Sequence, residues 1–150
     1  MVLVVDDEPG VRELARRILE SSGYGVLEAG DGQQALDVFA SNVRVDFLMA
    51  DLDMPVMRGE ELAARMRILR PELRVLYVTA HSGALFRERP ELLDGEAFLD
   101  KPFTVAGLLE AVSLLNRPRR TRRHWRACGA RLSGKSCRDD SPDLSGRSVL

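Results

Sequence analysis

The stretch Asp46-Phe47-Leu48-Met49-Ala50-Asp51-Leu52-Asp53-Met54-Pro55 decides the fold. Phe47 to Ala50 is a short apolar run of the kind that forms a buried strand. It ends on a carboxylate, Asp51, with another, Asp53, two residues later, and Pro55 then stops regular pairing. A carboxylate at the end of a buried strand lies at the rim of a sheet, where open α/β folds bind ligands. Three further apolar runs end on residues suited to the same chemistry: Val2–Val5 before Asp6-Asp7, Val75–Val78 before Thr79, and Ala97–Leu99 before Asp100-Lys101.

Helical periodicity fills the gaps between these runs. Val11, Leu14, Ala15, Ile18 and Leu19 recur at the spacing of one helix face, with Gly23 as the stop. Tyr24–Leu27 predicts a second strand. Asp31 caps a second helix, with Gln34 three residues on and Ala35, Val38 and Phe39 as its apolar face. Leu62, Met66 and Leu69 give a third helix ended by Pro71. Residues 82–96 are harder to read: Ala84-Leu85-Phe86 starts a short fourth helix that Pro90 and Asp94-Gly95 interrupt. Thr104 caps a last helix through Leu108, Ala111, Val112 and Leu115. Five strands alternating with five helices predict an α/β domain, a parallel sheet covered on both faces.

The chain divides by charge. Residues 116–150 hold ten Arg and Lys against three Asp, a net +7, which leaves −8 for residues 1–115. Apolar periodicity stops after Asn116, so the expected organisation is one domain over 1–116 and a basic, disordered tail over 117–150. No apolar run nears the roughly 18 residues of a membrane span. The chain opens directly on a strand, without room for a signal peptide, so a cytoplasmic protein is expected. Cys128 and Cys137 lie in the tail and do not suggest a disulfide scaffold. With His124 they make a poor metal cluster, and His81 reads as a loop residue at the rim.

Parallel strands bring Asp6, Asp7, Asp51, Thr79 and Lys101 to one edge. Carboxylates that close repel one another unless a cation is present. An all-oxygen set suits Mg²⁺, which takes one or two carboxylates plus phosphate and water. Lys101 adds a compact positive charge for a phosphoryl oxygen, Thr79 a hydroxyl, and a carboxylate can accept a phosphoryl group covalently. Each piece alone has a plain reading: Asp-Asp as a solvated turn, Lys-Pro as a loop, Thr79 as a helix cap. Together, at successive strand ends, they point to Mg²⁺-assisted phosphoryl transfer onto an Asp.

Val4-Val5-Asp6-Asp7-Glu8, Asp51-Leu52-Asp53-Met54-Pro55, Val78-Thr79-Ala80-His81 and Phe98-Leu99-Asp100-Lys101-Pro102-Phe103 resemble the receiver domains of two-component response regulators, over about residues 1–115. The resemblance implies a flavodoxin-like doubly wound (βα)5 fold, with a five-stranded parallel sheet in the order 2-1-3-4-5. It implies that Asp51 is the phosphoacceptor, with phosphohistidine on a histidine kinase or phosphotransfer protein as donor. Asp7 then ligates Mg²⁺ directly, Asp6 mainly through water, and Asp53 through its backbone carbonyl. Thr79 binds the phosphoryl group, Lys101 pairs with Asp51 or its phosphate, and Phe98 takes the position of the aromatic switch residue. A downstream effector would read the face of the fourth helix, fifth strand and fifth helix. Three departures stand out: residues 82–96 lack the usual Ala-Gly-Ala lead into the fifth strand, Asp53 adds a carboxylate beside the site, and 35 residues after the domain are too few for a typical winged-helix effector.

A receiver is a signalling module rather than an enzyme, with chemistry limited to its own phosphorylation and dephosphorylation. One rival reading is an Asp-nucleophile phosphatase, since Asp51-Leu52-Asp53 resembles the haloacid-dehalogenase Asp-x-Asp pair. There the pair usually lies on the first strand, with Thr or Val where this chain has Pro55. The other rival is a nucleic-acid binder acting through the Arg-rich tail and Trp125.

Overall fold

The computed structural model describes residues 1–41, 44–80 and 95–116. In chain order the elements are β1 (Val2–Val5), α1 (Pro9–Ser21), β2 (Val26–Ala29), α2 (Gly32–Ala40), β3 (Phe47–Asp51), α3 (Gly59–Leu69), β4 (Arg74–Thr79), β5 (Glu96–Asp100) and α4 (Val105–Leu115). The expected fourth helix from Ala84-Leu85-Phe86 and the expected tail over 117–150 lie outside the described residues, so α4 here is the fifth helix of the sequence reading. The strands form one parallel sheet in the order β2-β1-β3-β4-β5, the flavodoxin-like arrangement expected.

Strand periodicity sorts the core into two layers. Leu3, Val5, Leu48, Ala50, Val75, Tyr77 and Phe98 point to one face, where Ala35 and Phe39 of α2 and Leu62, Ala63 and Met66 of α3 cover them. Val2, Val4, Phe47, Met49, Leu76, Val78, Ala97 and Leu99 point to the other, under Ala15, Ile18 and Leu19 of α1 and Leu108, Ala111, Val112 and Leu115 of α4. Because both faces are covered, the strands read as continuous apolar runs.

The helix ends follow local chemistry. Pro9 opens α1, where its missing N–H costs nothing. At the other end the Gly23 and Tyr24 N–H groups donate to the carbonyls of Glu20 and Leu19. Gly23 takes φ +86°, the left-handed conformation this closure requires. Tyr24 is thus consumed by the turn, and β2 starts at Val26, two residues later than predicted. The Asp31 carboxylate caps α2 by accepting from Gln34 N at 2.8 Å, and Thr104 Oγ1 caps α4 by accepting from Gly107 N at 3.1 Å.

Two residues predicted for buried helix faces are exposed. Leu14 is off the Ala15-Ile18-Leu19 stripe of α1, and Leu69 sits in the last turn of α3. Arg70 already leaves helical dihedrals there, as a residue before proline tends to, and Leu73 takes the buried position beyond it.

Gly59 is the tightest point between α3 and the sheet. A Cβ there would stand 2.3 Å from the Asp51 carbonyl oxygen, so only glycine lets α3 start against the end of β3. Gly10 in α1 has nothing within 4 Å of such a Cβ. Gly59→Ala should therefore lower stability by about 1–3 kcal/mol, whereas Gly10→Ala should raise it by up to about 1 kcal/mol. Urea unfolding midpoints measure both, and similar shifts for the two variants would contradict this packing.

Candidate functional site at the ends of the parallel strands

The ladder of the sheet continues one residue past several strands. Asp6 N donates to Ala29 O at 3.3 Å, Leu52 N to Val78 O at 3.0 Å, and Lys101 N to Thr79 O at 2.9 Å. These bonds align the residues that follow β1, β3 and β5 along one rim. There the Lys101 ammonium lies 2.8 Å from Asp6 Oδ2 and 2.7 Å from Asp51 Oδ2, with Glu8 Oε1 at 3.4 Å.

The two inner carboxylates are built alike. Asp6 Oδ1 accepts from Glu8 N at 2.9 Å, and Asp51 Oδ1 accepts from Asp53 N at 3.0 Å. In each case one oxygen is fixed by the N–H two residues on, in an Asx-type turn, and the other faces Lys101. Arg12 of α1 anchors the first turn by donating to the Asp6 carbonyl at 2.7 Å. The second turn runs into Pro55-Val56-Met57, where Met57 N donates to Pro55 O at 2.8 Å. Val56 takes φ +70° there with its side chain in solvent, an unusual backbone state for a β-branched residue.

Burial raises the Asp6 pKa, and Asp51 adds to the rise, against the lowering effect of Lys101 and the Glu8 N–H. Burial also works against the charge of Lys101. The hydrogen bonds and charges of Asp51 and Asp6 outweigh it and hold the ammonium above its ordinary range. The site is an ammonium clamped between two buried carboxylates, stable only while all three keep company.

Asp6, Glu8 and Asp51 bring carboxylate oxygens within 4.8 Å of one another, a set able to hold a metal ion. An all-oxygen, mostly carboxylate set fits a hard cation such as Mg²⁺. Asp7 is exposed and lies outside this trio. Glu8 was not singled out in the sequence as a ligand, although its spacing from Asp6 repeats that of Asp53 from Asp51. Thr79 is buried at the end of β4, and its hydroxyl donates to Asp53 Oδ2 at 3.3 Å.

Phe98, in register with Tyr77 across β4 and β5, is buried with its ring stacked on the tyrosine at 5.2 Å and 28°. Tyr77 OH donates to Glu96 Oε1 at 3.2 Å, and Arg67 of α3 pairs with the same oxygen at 2.5 Å. This aromatic support needs the strand register, which no local motif announces.

The sequence model described as the response regulator receiver domain matches residues 2–113. The response regulator MprA of Mycobacterium avium (strain 104) is 41% identical over 118 residues, covering 77% of this chain and 50% of that protein. MprA of Mycolicibacterium vanbaalenii is 40% identical over the same shares. The chain thus spans about half the length of these relatives. Among solved structures, the receiver domain of the hybrid histidine kinase CckA aligns with a TM-score of 0.66 at 32% identity, covering 77% of this chain and 98% of that one. The response regulator TrrA of Thermotoga maritima, in complex with Mg²⁺-BeF, aligns with a TM-score of 0.64 at 33% identity, over 76% and 96%.

Replacing Lys101 tests the clamp. Lys101→Met removes the lysine contacts that lower the Asp6 pKa and leaves burial and Asp51 opposed by the Glu8 N–H alone, so that pKa rises further. A carboxyl whose folded pKa lies above its unfolded value of 3.8 stabilises the fold below that value and loses the contribution as pH rises through the folded one. With chelator present, the variant should be about 3 kcal/mol less stable than the parent at neutral pH, and the deficit should shrink toward acid. Urea melts across this range check it; a deficit independent of pH would contradict the clamp.

Proposed function

This chain belongs to the response regulator receiver domain family, and we propose that Asp51 is its phosphoacceptor in a two-component phosphorelay. The observation that carries the reading is the Lys101 ammonium held 2.7 Å from Asp51 and 2.8 Å from Asp6 at the strand ends. The TrrA neighbour, solved with Mg²⁺-BeF, supports a site of this kind for a metal and a phosphoryl-like group.

In this reading an Asp51 carboxylate oxygen attacks the phosphorus of a phosphohistidine. The O–P bond forms as the P–N bond breaks, and the imidazole leaves with the bonding pair and takes a proton from solvent. Asp53 N–H holds the other carboxylate oxygen and aims the nucleophile. Lys101 meets the charge of the arriving phosphoryl oxygens, and Thr79 Oγ1 offers them a hydrogen bond. Asp6, Glu8 and Asp51, with Asp7 and the Asp53 carbonyl as the further ligands implied by resemblance, would hold Mg²⁺. When bound, the ion neutralises carboxylate and phosphoryl charge together. The chemistry is limited to the protein's own phosphorylation and dephosphorylation, a signalling role rather than turnover of a substrate.

The donor is a histidine kinase or phosphotransfer protein. The output is a change at Phe98, read by an effector on the face expected of the fourth helix of the sequence reading, β5 and α4. Negative charge at Asp51 draws on Thr79, and Phe98 answers by changing its packing on Tyr77. The proposed site of action is the cytoplasm; no described helix is long and apolar enough to cross a membrane. The phosphatase alternative finds no support: the Asp-x-Asp pair sits on β3, not the first strand, and the relatives are response regulators. The nucleic-acid alternative falls on residues outside the described ones.

With Mg²⁺ and a small-molecule phosphodonor, the protein should gain one base-labile phosphoryl group, and Asp51→Asn should gain none. Phosphate-affinity gels read both. Labelling of Asp51→Asn at the parent rate would sink the assignment.

A further inference from the structure

Asp53 touches both groups that an incoming phosphoryl group must engage. Its N–H donates to Asp51 Oδ1 at 3.0 Å, and its carboxylate accepts the Thr79 hydroxyl at 3.3 Å. It thereby joins the end of β3 to the end of β4 just beyond the last ladder bonds. Thr79 is 2% exposed, so water is a poor substitute for its partner. A hydroxyl has a single proton to donate. A bond from Thr79 to a phosphoryl oxygen on Asp51 must therefore replace its bond to Asp53.

We propose that the Asp53 carboxylate is a built-in anionic placeholder that occupies the Thr79 hydroxyl until a phosphoryl group displaces it. The inference rests on Asp51 being the phosphoacceptor. In the resting protein Asp53 stands where a phosphoryl oxygen will compete, a negative oxygen offered to the same donor. Phosphorylation exchanges one charge-assisted bond, Thr79 O–H to Asp53, for another, Thr79 O–H to phosphate. Only the difference between the two is left to drive any change beyond Thr79. Asp53 thus sets the threshold of the switch through a hydrogen bond, in addition to its charge. A neutral residue without an acceptor at position 53 would remove this competitor for the hydroxyl and make the phosphorylated state easier to reach. The carboxylate is exposed, so the competition is graded rather than absolute.

The test is a double-mutant cycle on beryllofluoride binding at saturating Mg²⁺, followed by the amide NMR shifts of Thr79 and Phe98. Asp53→Ala keeps the backbone N–H and carbonyl while removing the acceptor. Thr79→Val keeps the shape of the side chain and removes the donor, with Thr79→Ala in its place if the valine variant does not fold. Asp53→Ala should lower the half-saturating beryllofluoride concentration about tenfold when Thr79 is present. It should lower it no more than about twofold in the Thr79→Val background, where only the charge effect survives. Equal tightening in both backgrounds overturns the proposal in favour of through-space repulsion, and no tightening beside Thr79 overturns it outright. A parent protein whose spectrum shows no saturable change, like an Asp51→Asn control, overturns the phosphoacceptor reading and the proposal with it.

Discussion

One ammonium group holds the rim of this sheet together. Asp6 and Asp51 leave adjacent parallel strands with their carboxylates buried side by side, a placement that repulsion and lost hydration both oppose. Lys101, arriving from the far side of β4 on the end of β5, meets both at hydrogen-bond distance. Its raised pKa and the raised pKa of Asp6 express the same constraint: burial works against each charge, and the contacts oppose that cost. The positive charge belongs to the protein, and it sits at hydrogen-bond distance from both carboxylates.

Much of the remaining structure serves to bring those three side chains to one place. The parallel register sends β1, β3, β4 and β5 out at the same edge, and single ladder bonds past the strand ends carry the alignment to Asp6, Leu52 and Lys101. Paired Asx-type turns aim the two carboxylates at the lysine. Gly59 lets α3 start against the Asp51 carbonyl, which keeps the connecting loop short and its Val56 turn tight. On the other side of the rim, Phe98 rests on Tyr77, which is tied through Glu96 to Arg67 of α3. A disturbance at Thr79, two residues from Tyr77 on the same strand, has a physical path to that aromatic pair.

Most of the residues proposed to carry the chemistry were legible, because they stand where apolar runs end and so mark their own place on the sheet. Asp6, Asp51, Thr79 and Lys101 could be assigned to one edge without coordinates, and the strand order followed from the family resemblance. What escaped depended on contacts between distant segments or on competition within a turn. β2 begins two residues late because the α1 turn uses Tyr24. Leu14 and Leu69 satisfy a periodicity that the packing does not use. Glu8 joins Asp6 and Asp51 only because the turn after β1 folds back on itself. The Tyr77–Phe98 stack needs the β4–β5 register, and the Thr79 bond to Asp53 needs two strand ends in three dimensions. Helix signals within 82–96 stay as expectations.

The most direct measurement is to locate the phosphoryl group chemically. After phosphorylation with a small donor in Mg²⁺, borohydride reduction converts an acyl phosphate to the corresponding alcohol, and peptide mass mapping identifies the altered residue. Homoserine at position 51 alone is the expected result. Reduction at Asp6, Asp7 or Asp53, or a base-stable phosphate on a hydroxyl side chain, would contradict it.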